Sequence, residues 1–138
     1  MKKTLIMSAL AVPMLVASVE ARASLYQEQA ATSQAGVASY YADRFHGRRT
    51  ASGARYDRNG FSAAHRTLAL GTQVRVTDLG SGDSVVVRIN DRGPFARGRV
   101  IDLSRAAAAE IGLTRKGLSE VRLEVLNRSQ PLTLSDVF

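Results

Sequence analysis

Apolar and polar residues alternate through Val74-Arg75-Val76-Thr77 and again through Val121-Arg122-Leu123-Glu124-Val125. A period of two marks a strand with one face buried and one face wet. Ser84 to Ile89 is more continuously apolar, through Val85-Val86-Val87, and reads as the second arm of a hairpin begun by Val74–Thr77. The turn between them is Asp78-Leu79-Gly80-Ser81-Gly82-Asp83, whose glycines are free to adopt positive φ. Gly36-Val37-Ala38-Ser39-Tyr40-Tyr41 and Val100-Ile101-Asp102-Leu103 supply two further short strands.

A single helix signal stands out. Ser104 is a good N-cap for Arg105-Ala106-Ala107-Ala108-Ala109-Glu110-Ile111, and Gly112 is a natural stop. From Ala42 to Gly60 the chain is rich in Arg, Gly and Asp and has little that could enter a core. Such a stretch predicts a long functional loop or a set of short pieces. Short strands with one short helix predict a small closed β-barrel, which leaves no exposed sheet edge. A small β-sandwich satisfies the same pattern.

The two ends differ from this middle. Lys2 and Lys3 precede a largely apolar run from Leu5 to Val19, and Ala21-Arg22-Ala23 has the small-x-small form of a signal peptidase site. The run holds 15 residues and contains Pro13, whereas a spanning helix needs about 20 apolar residues. Residues 1–23 are therefore expected to be a signal peptide, and no cysteine follows to carry a lipid. Residues 24–35 read as a flexible leader, 36–126 as the folded domain and 127–138 as a tail containing Pro131.

Without cysteine, neither disulfides nor thiolate chemistry is available, and stability must come from packing. The net charge is +7, and removal of Lys2, Lys3, Arg22 and Glu20 leaves +5, with Lys116 the one remaining lysine. An exported basic protein is poorly matched to nucleic acid; an anionic polymer or surface outside the membrane fits better. The only histidines are His46 and His65, and no spacing suggests a zinc site, so neither metal nor cofactor is expected.

An apolar strand then runs straight into Asn90-Asp91-Arg92-Gly93-Pro94. Read as residues alone, Asp91 is either a turn residue that satisfies backbone amides or a carboxyl group presented for chemistry. Asp102, set between apolar residues near the helix cap, is read as a supporting anchor.

The segments "GVASYYADRFHGRRTASG", "FSAAHRTLALGTQVRVTDLGSGDSVVVRINDRGPF" and "GRVIDLSRAAAAEIG" together resemble the rare lipoprotein A (RlpA) family, from about Gly36 to Leu126. The resemblance implies a six-stranded double-psi β-barrel with one or two short helices, a fold shared with expansins. It also implies a periplasmic endolytic lytic transglycosylase. Such an enzyme cleaves peptidoglycan glycan strands, preferably peptide-free, between N-acetylmuramic acid and N-acetylglucosamine to leave 1,6-anhydromuramic ends. The family's catalytic aspartate falls on Asp91, with Asn90 beside it in a supporting place. Its second carboxylate, in a Thr-x-x-Gly-Glu stretch, meets Thr50-Ala51-Ser52-Gly53-Ala54, so Ala54 stands in place of glutamate. The lipid-bearing cysteine and the C-terminal glycan-binding repeat are not matched either.

Ser39, Tyr41, His46 and Thr50 lie in the matching motifs and are candidates for contact with sugar hydroxyls. Arg48 and Arg49 suit the lactyl carboxylate of muramic acid, since a guanidinium fork pairs with a carboxylate. Asp57 is a candidate substitute for the missing glutamate. His65 is expected to order a loop or line the groove, and Arg92 to favour the charged form of Asp91 if it lies close. A soluble monomer acting on glycan strands, with cell-wall or division enzymes as possible partners, is the resulting expectation. A non-catalytic peptidoglycan-binding or expansin-like module is its alternative.

Overall fold

The computed structural model describes residues 19–22 and 33–127. Most of the expected signal peptide and leader, and the tail beyond Asn127, lie outside the described residues. Val19–Arg22 are helical.

In the second segment the strands are β1 (Ser33–Tyr40), β2 (Ser62–Ala64), β3 (Gln73–Asp78), β4 (Ser84–Asp91), β5 (Arg99–Leu103) and β6 (Ser119–Asn127). They close into a barrel in the order β1-β5-β2-β4-β3-β6, which is the predicted barrel and not a sandwich. β1 with β5 and β2 with β4 are parallel pairs; the other four contacts are antiparallel. The first strand begins at Ser33, three residues before the expected start of the domain. Ser33, Gln34 and Ala35 pair with Glu124, Leu123 and Arg122 through the backbone while remaining exposed, so no hydrophobic pattern announces them.

Alternation in β3 and β4 turns Val74, Val76, Val85, Val87 and Ile89 inward, where they meet Ile101 and Leu103 of β5 and Val121 and Leu123 of β6. Each such side chain contributes about 1.5–3 kcal/mol when fully buried. Helix α1 (Arg105–Glu110) adds Ala107 and Ala108, and α2 (Leu113–Lys116) adds Leu113. Ser104 caps α1 as its sequence predicts, accepting a hydrogen bond from Ala107 N at 3.3 Å. Gly112, at φ 72°, makes the left-handed stop between the two helices, a conformation that costs glycine little.

Asp78 breaks the apolar series. It continues the inward phase of Val74 and Val76 and has no exposed surface. Its Oδ1 accepts from Gly80 N at 2.8 Å and Ser81 N at 3.0 Å, which shapes the hairpin turn. Its Oδ2 accepts from Ser119 Oγ at 2.6 Å and Lys116 Nζ at 3.1 Å, which ties that turn to α2 and β6. The Ser119 hydroxyl, against the opposing effect of burial and with help from the turn amides and Lys116, holds the carboxyl well below the usual aspartate range.

A depressed folded-state value means that Asp78 stabilises the fold above pH 4 or so, and that this contribution drains away as the pH falls further. Replacement Asp78→Asn is expected to lower unfolding free energy by about 2–3 kcal/mol at neutral pH. Urea melts from pH 7 down to pH 2 check this: the gap between wild type and variant narrows in acid, and a constant gap contradicts the assignment.

Candidate active site

β4 does not stop at Ile89. It continues through Asn90 to Asp91, so the candidate carboxylate is the last residue of a strand, ahead of the cis Gly93–Pro94 peptide. Three flanking segments fix it there. Ala64 of β2 sits opposite Asp91 in register, and His65 N donates to the Asp91 carbonyl at 3.1 Å. From the other side Ser52 N donates to the Asn90 carbonyl at 3.0 Å. The carboxyl itself is held twice: Oδ1 accepts from Ala51 N at 2.9 Å and Oδ2 from Tyr41 Oη at 2.6 Å.

Asp91 lines a cleft of about 270 Å³ together with Tyr41, Phe45, Arg48, Arg49, Thr50 and Tyr56. The aromatic wall is continuous. Tyr41 and Tyr56 lie 4.5 Å apart between ring centroids, and Phe45 meets Tyr41 edge-on at 5.9 Å. The Arg48 guanidinium sits over the Phe45 ring at 5.4 Å, with Arg44 over the same ring at 4.9 Å. Burial, then the hydrogen bond to Asp91 and the nearby charges of Asp91 and Asp102, push the Tyr41 hydroxyl far above the ordinary tyrosine range. Burial raises Tyr56 too, although its hydroxyl accepts from Arg105 N at 3.1 Å. One carboxyl among aromatic rings and two guanidinium groups makes a site suited to an anionic ligand with apolar faces.

Of the residues singled out in the sequence, Tyr41, Arg48, Arg49, Thr50 and Asp91 converge on the cleft. Thr50 is buried, and its hydroxyl donates to the Ala54 carbonyl at 2.7 Å, closing the 50–54 loop. The others sit elsewhere. Ser39 is buried and donates to Asp102 Oδ1 at 2.6 Å, and Arg99 pairs with Asp102 Oδ2 at 3.6 Å, so both act as anchors. His46 Nδ1 accepts from Arg58 N at 3.2 Å. Asp57 accepts from Asn59 N at 2.9 Å in its own turn and is not among the residues that line the cleft. Ala54 is exposed on the loop. Arg92 turns away from Asp91, donating to the carbonyls of His65 at 3.1 Å and Leu68 at 2.8 Å. Asn90 Oδ1 is buried with no hydrogen-bond partner among the described residues.

A family model described as lytic transglycolase matches residues 33–123. The chain belongs to the RlpA-type lytic transglycolase family. It is 58% identical over 91 residues to a probable endolytic peptidoglycan transglycosylase RlpA of Synechocystis sp., covering 66% of this chain and 28% of that one. The endolytic peptidoglycan transglycosylase RlpA of Pasteurella multocida is 49% identical over 112 residues, covering 81% of this chain and 38% of the relative. The chain thus spans less than half the length of these relatives. The double-psi barrel itself recurs in a Streptomyces papain inhibitor, with TM-score 0.56, 23% identity and coverage of 69% of this chain and 94% of the inhibitor. An expansin of Clavibacter michiganensis gives TM-score 0.54 at 19% identity, covering 73% of this chain and 52% of the expansin.

Phe45, Tyr56 and the Ala51 amide escaped the sequence reading. Each lies in the 42–60 stretch, whose lack of periodicity hides which side chains fold back onto the barrel. His65 chose the first of its two expected roles. It is buried, its Nδ1 accepts from Thr67 N and Leu68 N at 3.1 Å, and its Nε2 bonds Gln34 Oε1 at 2.9 Å. Burial, with Arg66 and Arg92 nearby, lowers its pKa below the ordinary histidine value of 6.5. The unfolded chain therefore takes up this proton first, and stability falls as the pH drops from about 6.5 through the folded-state value. His65→Asn is expected to remove that limb. Thermal melts between pH 8 and pH 5 check it, and parallel curves for wild type and variant contradict it.

Proposed function

We propose that this protein is an endolytic lytic transglycosylase of peptidoglycan, with Asp91 as its acid and base. The observation that carries the reading is the placement of Asp91, at the end of β4, in the wall of the aromatic and cationic cleft. The names of its relatives supply the substrate class.

In this mechanism the scissile bond joins N-acetylmuramic acid to N-acetylglucosamine. Asp91 donates its proton to the glycosidic oxygen as the C1–O bond breaks. The muramic C6 hydroxyl attacks C1, and its proton passes to the Asp91 carboxylate, which restores the starting acid. No water enters, so no second carboxylate is required to orient one, and the tethered nucleophile replaces it. Phe45 and Tyr56 offer apolar faces to the sugar rings. Arg48 and Arg49 suit a lactyl carboxylate, which is free only where the stem peptide has been removed; this supports a preference for peptide-free strands. The signal peptide expected at residues 1–23 supports a periplasmic site of action. Among the described residues no helix is long and apolar enough to cross a membrane.

Ala54 favours one rival, a module on the same barrel that holds glycan strands without cutting them. Digestion of peptide-free strands, read by mass spectrometry, separates the two. Wild type is expected to release 1,6-anhydromuramic ends, and Asp91→Asn to release them at least about 100-fold more slowly while still retaining strands. Ala54→Glu raises turnover where the missing carboxylate limits the rate, and leaves it unchanged where Asp91 and the tethered hydroxyl suffice. Strand retention with no product from wild type establishes the binding module instead.

A further inference from the structure

We propose that Tyr41 is a positioning residue for Asp91, its hydroxyl holding one carboxyl oxygen while the Ala51 amide holds the other. The proposal rests on the reading of Asp91 as the reacting acid. Tyr41 follows directly on β1, and its backbone is tied to β5 through Tyr41 N donating to the Leu103 carbonyl at 3.0 Å. Its ring is trapped between Tyr56, 4.5 Å away, and Phe45, 5.9 Å away. Few rotamers survive such packing. The hydroxyl then reaches Asp91 Oδ2 at 2.6 Å, at the short end for an O–H···O bond.

Two features separate this role from that of a proton carrier. Burial and the facing groups Asp91, Asp102 and Tyr56 hold the phenol in its neutral form, so it donates a hydrogen bond throughout the working range and cannot serve as a base. The second feature is the count of acceptor sites. A carboxylate offers about four lone-pair sites. Tyr41 occupies one on Oδ2 and Ala51 N one on Oδ1, which leaves one on each oxygen, for the proton that Asp91 delivers to the glycosidic oxygen and for the incoming C6 hydroxyl. Without the phenol, Oδ2 loses its one donor among the described residues, and the carboxyl, held by Ala51 N alone, has more freedom about its broad terminal torsion. The reacting oxygen is then misplaced even though the barrel and the cleft remain.

Steady-state turnover and strand binding are compared for wild type, Tyr41→Phe, Asp91→Asn and the double variant, each well below its melting midpoint. Tyr41→Phe keeps the ring and its packing. Its kcat is expected to fall about 10- to 100-fold with KM changed less than about threefold, as for a misplaced reacting group. The double variant is expected to be no slower than Asp91→Asn alone, because both changes act through one carboxyl. A Tyr41→Phe protein with wild-type kcat overturns the inference, as does a loss confined to KM. So does a further loss in the double variant, since that indicates an independent contact with the sugar. If wild type itself yields no anhydro ends, the reading of Asp91 falls and takes this inference with it; an active wild type with an unaffected Tyr41→Phe removes the inference alone.

Discussion

Closure of the barrel runs through a strand of three residues. β2 pairs in parallel with β4 on one side and antiparallel with β5 on the other, and Ala64 stands opposite Asp91 on the first and Asp102 on the second. Ala63 and Ala64 are almost fully enclosed, and only small side chains leave room for the neighbouring strands to converge there. The short strand therefore brings two carboxylates to the same level of the wall. Their fates diverge because their partners differ. Asp102 is taken up by Ser39 and Arg99, whereas Asp91 is held by a phenol and a loop amide and still borders open space.

The stretch between β1 and β2 has no core of its own and is built from backbone bonds across it. Gly47 N donates to the Tyr56 carbonyl at 2.8 Å, Tyr56 N to Arg48 at 2.7 Å and Thr50 N to Ala54 at 2.8 Å. Tyr56 links this ladder to the barrel, since its hydroxyl accepts from the first amide of α1. Tyr56 thus carries the packing of the barrel to the cleft. A second tie runs through the backbone, where Ser52 N donates to the Asn90 carbonyl beside the amide that grips Asp91.

Much of this was legible in the chain. β3, β4 and β6 announce themselves because their inner faces are Val, Ile and Leu at alternate positions, and the helix announces itself through Ser104 and Gly112. β2 does not, because three residues are too few to show a period and alanine signals neither face. Asp78 read as an ordinary turn residue; only its register, one step beyond Val76 on the inner face, reveals a buried anchor. At the cleft, Asp91 was found through its motif, not through its local physics, which serves a turn equally well. Arg92 and His65 could not be placed from sequence, because their direction depends on the carbonyls and amides of a loop folded by distant contacts.

The cleft owes its positive charge to Arg48 and Arg49, while Lys116 is committed to Asp78 at the barrel's base. A guanidinium does not lose its proton in any medium where a protein stays folded. The pull exerted by this rim on an anionic ligand is therefore insensitive to alkalinity and is set by ionic strength, which screens charge beyond about 10 Å at 0.1 M salt. Ionic strength, rather than alkalinity, is the natural dial on how long an anionic ligand lingers there.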